Sequence, residues 1–416
     1  MAAAAFRWSI SNEPWMAGAK ANGLTNLSLR LSAGRSGNDA ISSYVSQQAL
    51  TSEVSTWLFG ESQELSTYPT RLDNQSLTWE KTDSYNAGLD ISLLNDRITI
   101  TGDAFLSNTK DLLLKVQNPK QTGFDTRFDN VGNTRNWGWE LAISSRNIIT
   151  QHFSWRTDLT LSHNNSIVTD IGAEYEQVAT YTNSSQMLYG YKVGYPVNAL
   201  WGYKFGGVWH NAKEREDNEA TRTWVSYQQV DGYAKYADLN HDGILDYRDQ
   251  TYLGSADPIV FGGLQNTFTI RQFTLGLYFT YSIGGYIYNL SEFNLGSGIN
   301  NTNKYRYMMD CWHPVRNPEG NLPSAYAQDA YRSDRYVHSA SYLRLKTLSA
   351  SYTFDLSKKV KWAKDITLSA YIDNLFLITG YNGYDPDISS SSSVRRLDNA
   401  AYPNPRTYMF SIKFRY

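Results

Sequence analysis

The sequence contains one cysteine, Cys311, in 416 residues. No disulfide can form within the chain, and the compartment cannot be read from cysteine content. No apolar run approaches the ~18 residues of a membrane-crossing helix, and mean hydropathy is −0.49. That excludes a helical span but not a barrel, in which half of each strand faces a polar lumen. No basic excess exists: 38 Lys and Arg stand against 40 Asp and Glu, a net charge of −2. A field that would attract nucleic acid is therefore missing. Met1-Ala2-Ala3-Ala4-Ala5-Phe6 lacks the basic start and long apolar core of a leader, and strand-like sequence begins at once with Phe6, Trp8 and Ile10. Catalytic signatures are missing too. His152, His163, His210, His241, His313 and His338 are scattered without a spacing such as H-E-x-x-H. No glycine-rich phosphate loop follows a strand. Asp385 and Asp387 flank Pro386 in a turn setting, which reads as a solvated loop and not as an acid/base pair. No catalytic or cofactor-binding residue is assigned, and the chain is read as a non-enzyme.

What the chain has is aromatic residues and long alternating strands. Aromatics make up 14%, with 31 Tyr and 12 Trp, which suits interfacial girdles and carbohydrate-facing loops. The organising stretch is Tyr236 to Tyr281. Its second half holds two alternating runs. Leu264, Asn266, Phe268 and Ile270 share one parity, as do Phe273, Leu275, Leu277, Phe279 and Tyr281. Residues two apart on a strand point to the same side, so each run has one greasy and one mildly polar face. Arg271-Gln272 is the tight connection expected between them. The runs approach ten residues, about what a tilted strand needs to cross a bilayer, whereas soluble strands usually have about five or six. Length favours a transmembrane antiparallel barrel.

The same rhythm runs through the chain. Phe6 to Ile10 and Leu27 to Ala33 read as strands, with a break at Gly34-Arg35-Ser36-Gly37-Asn38-Asp39. Residues 41–71 read as an external loop with some strand extension. Tyr85 to Ser107 reads as a hairpin turning at Asn95-Asp96-Arg97, and Trp137 to His163 as another. Glu140, Arg156 and Asp158 occupy the face opposite the apolar one, which fits a wet lumen. Leu343 to Tyr352, Ile366 to Phe376 and Tyr408 to Tyr416 are the last strands, about a dozen of membrane length in all. Connections near 164–196, 210–258, 284–340 and 379–402 exceed ordinary loops. Their alternation with short turns is the pattern of long extracellular and short periplasmic connections in outer-membrane barrels.

One candidate metal site is legible. Asp238, Asn240, Asp242, Gly243, Ile244, Asp246 and Asp249 fall at positions 1, 3, 5, 6, 7, 9 and 12 of a calcium loop. Gly243 permits the sharp turn, Ile244 would offer its carbonyl, and Asp249 replaces the usual Glu. The ion would be structural. The competing reading is an Asx-rich turn.

Several stretches in order resemble a known family. They are Leu29-Arg30-Leu31-Ser32-Ala33-Gly34-Arg35-Ser36-Gly37-Asn38, Tyr236-Ala237-Asp238-Leu239-Asn240-His241-Asp242-Gly243 before Gly254 and the Phe261 hairpin, Ser341-Tyr342-Leu343-Arg344-Leu345-Lys346, Asp373-Asn374-Leu375, Gly383-Tyr384-Asp385-Pro386, and Tyr402-Pro403-Asn404-Pro405-Arg406-Thr407. Together they resemble the C-terminal part of a SusC-like (RagA-like), TonB-dependent outer-membrane transporter. The resemblance implies an all-β barrel of about 22 strands, of which residues 1–416 are a C-terminal portion without the plug domain. It implies uptake of oligosaccharides or peptides, a SusD-like surface lipoprotein as lid, and a TonB complex reached through an N-terminal part. The leader, TonB-binding segment, plug and first strands of that family are not in the chain, so a fragment unable to transport alone is expected. In such barrels Ile412, Phe414 and Tyr416 of the closing strand resemble the C-terminal assembly signal; an ordinary lipid-facing strand is the plainer reading.

Tyr175, Tyr181, Tyr189, Tyr191, Trp209, Trp224, Tyr227, Tyr233, Tyr305, Tyr307, Trp312, Tyr326 and Tyr331 lie in the long connections. They could stack on sugar rings or pack the loops, and none is assigned to substrate. The alternative function is a soluble secreted β-rich module that binds glycans. A glycoside hydrolase needs two carboxylates about 5–9.5 Å apart, which sequence does not place.

Overall fold

In a computed structural model, the described residues are 2–39, 44–59, 62–118, 120–124, 126–172, 178–183, 186–216, 222–223, 230–298, 301–327, 331–356, 364–388 and 395–416. Eleven strands form one antiparallel sheet, each paired with the next along the chain. They are β1 Ala2–Trp8, β2 Leu24–Asn38, β3 Glu80–Leu93, β4 Ile98–Lys110, β5 Asn133–Ile149, β6 Phe153–Asp170, β7 Val260–Ile270, β8 Phe273–Ile283, β9 Tyr342–Asp355, β10 Asp365–Thr379 and β11 Thr407–Arg415. β7 and β8 have 11 residues each, enough for a tilted strand to span hydrocarbon.

Register turns the alternation of single strands into continuous rows. Leu159, Leu264, Phe279 and Leu345 are successive partners. So are Phe6, Leu31, Ala87, Ala104 and Trp139 at the other end of the sheet. Tyr352, Leu368 and Ile412 extend the same face to β11. Aromatic residues border this belt. Trp155, Phe268, Phe273, Tyr352, Phe354 and Phe414 lie toward the short turns; Tyr85, Trp137, Trp139, Tyr281, Phe376 and Tyr408 lie toward the long connections. Two aromatic girdles about an apolar band are the outer-surface pattern of a membrane barrel.

The belt has no second layer over it among the described elements, whose substantial contacts with each strand come from its neighbours in the sheet and the short connections. Leu275, Leu277 and Phe279 are partly exposed, while Phe6, Phe354, Phe410 and Phe414 are exposed. Leaving such side chains in water forgoes about 1.5–3 kcal/mol each. No described helix is long and apolar enough to cross a membrane; the strands are the spanning elements. β1 and β11 stand at the two ends of the sheet order and do not pair with each other. In a bilayer, unpaired edge groups cost several kcal/mol apiece, so the sheet is an arc that closes only with further strands.

Connections alternate in length. Residues 94–97, 150–152 and 271–272 are short turns, nine residues separate β9 from β10, and 9–23 joins β1 to β2 through two 3₁₀ turns and a five-residue helix; 39–79, 111–132, 171–259, 284–341 and 380–406 are long. Arg271 takes φ +52° in the two-residue turn, so Arg271-Gln272 is the tight connection expected. Three expectations change. Ile10 begins a 3₁₀ turn, Ile10–Asn12, and lies outside β1. The break read at residues 34–39 is strand as far as Asn38, because Gly34 to Asn38 pair in register with Ser84 to Glu80 and Arg35 binds Asp83 at 2.6 Å. The separate connections near 164–196 and 210–258 belong to one excursion, 171–259, with β6 running on to Asp170. Its internal strands Ala199–Gly202 and Phe205–Val208 join small sheets outside the barrel wall. Ala49–Phe59 pairs antiparallel with Ser62–Arg71.

The dry core lies in these excursions. Leu188, Tyr189 and Leu200 of the 171–259 excursion cluster with Tyr288, Leu290, Phe293 and Tyr336 of the 284–341 excursion. Tyr286–Asn289 pairs with Val337–Ser339 and, in parallel, with Leu397–Asp398. Three excursions thus fold into one buried body at the long-loop end.

Candidate functional site

The loop body is tied to the barrel wall by buried charge. Arg344, near the start of β9, pairs with Asp385 of the 380–406 connection; both side chains are 3% exposed. Asp385 also accepts from Asp387 N at 3.0 Å and from Asn404 N and Nδ2 at 3.2 and 2.9 Å. Burial pushes its carboxyl up, but these bonds and Arg344 outweigh that and hold it below the usual carboxylate range. The solvated loop read for Asp385 is thus overturned: a buried arginine 41 residues away holds it. Nearby, His338 Nε2 lies 2.5 Å from Glu292, which also accepts from Tyr307 at 3.2 Å. Tyr381 donates to Asp398 at 2.6 Å. Among the described residues, no three His, Cys, Asp or Glu groups close on a common point suited to a metal ion.

The acidic loop folds around its own backbone. Asp238 accepts from His241 N at 2.8 Å and from Gly243 N at 2.9 Å. Gly243 sits at φ +77°, where a side chain is disfavoured, so the position-6 glycine has its expected job. Asn240 and Asp242 each accept from the backbone two residues on, at 3.0 and 2.9 Å, forming Asx turns. Asp246 caps the 3₁₀ turn Tyr247–Asp249, and Asp249 accepts from Asp246 N, a capping box. Asp249 is fully buried, which pushes its carboxyl above the usual range. Arg248 Nη2 lies 2.7 Å from both Asp242 and Asp246, and its hydrogen bonds hold the Asp246 carboxyl down. The donor set fits a hard cation in kind and offset. Its negative charge is gathered by the Arg248 guanidinium, so an ion would have to displace that side chain.

The loop aromatics divide. Tyr189, Trp209, Trp312 and Tyr331 are buried, and Tyr331 joins Tyr203 and Tyr236 in a small core; burial raises the Tyr331 hydroxyl to about 12. Tyr305 stacks on Tyr307 at 5.7 Å and 20°, and Tyr326 is exposed. Tyr175, Trp224 and Tyr227 fall outside the described residues, and Tyr181 is described in its backbone alone. Asn382, Tyr384 and Asn399, to which the sequence assigned no site role, stand exposed beside Tyr305. The one local signal was the turn-rich run Gly380-Tyr381-Asn382-Gly383-Tyr384.

The wall opposite the belt is polar and charge-paired. Arg30 forms two-pronged contacts with Asp90 at 2.9 and 3.1 Å and with Asp103 at 2.9 and 2.8 Å. It reaches Asp103 across β3 because the residue between is Gly88, where a Cβ would lie 2.5 Å from Asp103 and 2.6 Å from Arg30. Glu140 pairs in register with Asp103. Arg156 bonds Asp158 at 2.8 Å. All share the face predicted to be wet. On β11, Ile412 and Phe414 continue the belt beside Leu368 and Ile366, and Tyr416 lies one residue beyond the strand, 90% exposed.

A family model described as TonB dependent receptor-like, beta-barrel, matches residues 4–266. The chain is similar to TonB-dependent receptor P26 of Formosa agariphila, at 32% identity over 96% of this chain and 40% of that protein. It is similar to TonB-dependent receptor SusC of Bacteroides thetaiotaomicron, at 26% identity over 99% of this chain and 39% of that protein. It spans about two-fifths of the length of these curated relatives. Among solved structures, one of the RagAB peptide transporter superposes with a TM-score of 0.80 at 21% identity, covering 99% of this chain and 43% of that one. At that identity the likeness is one of fold.

Proposed function

The chain belongs to the TonB-dependent receptor β-barrel family of the outer membrane, and on that premise we propose that it builds the C-terminal part of the barrel of a nutrient importer. One observation carries the reading: an apolar belt between two aromatic girdles, with no protein layer on it among the described elements, backs a wall of paired charges. A soluble glycan-binding module would have to leave that belt in water. The cargo is an oligosaccharide or a peptide. The loop body at the long-loop end faces the outside, where a SusD-like lipoprotein acts as lid, and a TonB complex drives the cycle through the part of the receptor that carries the plug. The similar proteins of Formosa agariphila and Bacteroides thetaiotaomicron are TonB-dependent receptors, which supports a receptor and not an enzyme. Uptake of labelled oligosaccharides and peptides should be measured in cells making the intact transporter and in cells lacking it. Uptake that depends on the transporter and on TonB is expected; equal uptake in both strains would refute the proposal.

For the 238–249 loop we propose a structural calcium held by Asp238, Asn240, Asp242, the Ile244 carbonyl, Asp246 and Asp249, in competition with Arg248. What supports it is the ligand order and the left-handed Gly243. Calorimetry with calcium on the intact transporter should give a binding heat that Asp242→Ala removes. Identical heats would end the idea.

A further inference from the structure

Between the 284–341 and 380–406 excursions lies a cavity of about 460 Å³, within the roughly 300–1,000 Å³ of small-ligand sites. Tyr305 and Tyr384 stand on its walls, 37% and 77% exposed. Tyr305 is backed by Tyr307, whose hydroxyl is fixed on Glu292, so one ring face is held still and open. Asn294, Asn382 and Asn399 also line the cavity. The side-chain amides of Asn382 and Asn399 have no hydrogen-bond partner among the described residues. Asp398 forms part of the floor, 3% exposed, with its carboxylate already accepting from Tyr381 at 2.6 Å and Ala401 N at 3.0 Å. Among the described residues the lining contains neither Lys nor Arg; Lys304, close by, donates to the Asn294 carbonyl at 3.2 Å.

Ligand class follows from these groups. Aromatic faces accept the C–H faces of a sugar ring. An amide supplies donor and acceptor together, which matches neighbouring hydroxyls. A sulfated or uronic sugar would meet no cation on the described lining and one buried carboxylate, with the nearby Lys304 turned to the Asn294 carbonyl. A peptide would meet no charge for its amino-acid termini beyond that occupied Asp398. The sheet edge it could add to, Leu397–Asp398, is two residues long, too short for strand addition to give much affinity. We propose that this cradle binds a neutral oligosaccharide, with Tyr305 and Tyr384 as stacking surfaces and Asn382 and Asn399 as hydroxyl-reading groups. The proposal rests on the importer reading and selects one of its two cargo classes.

The test uses the intact transporter, purified, with malto-, xylo-, manno- and galacto-oligosaccharides, a sulfated oligosaccharide and a mixed peptide pool, alongside uptake by cells. A neutral oligosaccharide should bind. Tyr305→Ala and Tyr384→Ala should each weaken it about tenfold, Asn382→Ala with Asn399→Ala by at least as much, and Tyr305→Phe by less than threefold. Val315→Ala, at an exposed site outside the cradle, should bind as the parent does. Unchanged affinity in both alanine variants overturns the cradle while uptake by cells leaves the importer reading standing. Binding of peptide or sulfated sugar alone overturns the ligand class. Failure of transporter-dependent uptake for every probe sinks the importer reading and the cradle with it.

Discussion

Replacing Asp385 by alanine removes the anion from a fully buried pair and leaves the Arg344 guanidinium uncompensated. Arg344 Nε is already buried without a hydrogen-bond partner among the described residues, so its charge depends on Asp385. Breaking such a pair from one side costs about 3–5 kcal/mol. Asn404 loses two bonds as well. The equilibrium for detaching the 380–406 connection from β9 should therefore rise roughly a hundred- to a few thousand-fold. Removing both charges while keeping an acceptor for Asn404 and Asp387 N, as in Arg344→Met with Asp385→Asn, leaves no stranded ion and should fall close to the parent. Hydrogen exchange on the intact transporter reads this directly in peptides spanning 380–388 and 395–406. Protection should drop in Asp385→Ala and return in the double variant. The pH sign is set by the lowered carboxyl of Asp385. Its contribution is present above the ordinary value of about 3.9 and is lost as pH falls through the lower folded value, so protection from this pair should be flat from pH 5 to 8. Unchanged protection in Asp385→Ala, or a double variant as open as the single one, would refute the reasoning.

Two further outcomes are expected. Gly88→Leu would drive a side chain into Arg30 and Asp103 and cost about 1–3 kcal/mol by overpacking; the intact transporter should lose its heat-shifted mobility on gels at lower temperature, and an unchanged transition would show that Arg30 does not need the gap. Deleting Tyr416 from the intact transporter should lower its yield in the outer membrane if the end of β11 is read during insertion, and equal yield would count against that role.

Local chemistry announced the wall of the barrel. Leu275, Leu277 and Phe279 point to one side by the pleat alone, and the hairpins 80–110, 133–170 and 260–283 follow from that period and their short turns. The extension of β2 through Gly34 and Gly37 did not, because small polar residues signal a turn when read singly. Pairing with β3 overrides that preference. The merged excursion 171–259 hid for a similar reason. Ala199 to Gly202 is buried on all sides, so no period distinguishes it from a barrel strand. Asp385 and the cradle were hidden more deeply. Arg344 meets Asp385, and Tyr305 meets Asn382 and Asn399, through folding of separate excursions, and no window of sequence contains both partners. The acidic loop was readable in spacing but not in Arg248, whose reach to Asp242 and Asp246 is a matter of side-chain geometry.

What surrounds β8 decides between a membrane barrel and a protein interior. Nitroxide labels placed singly at 275 to 280, in an intact transporter with Cys311→Ser and reconstituted in lipid, report collisions with oxygen, enriched in hydrocarbon, and with a water-soluble nickel chelate. Labels at Leu275, Leu277 and Phe279 should favour oxygen, and those at Gly276, Tyr278 and Thr280 the chelate. Labels at Leu275, Leu277 and Phe279 shielded from both reagents would place that face against protein and contradict the barrel.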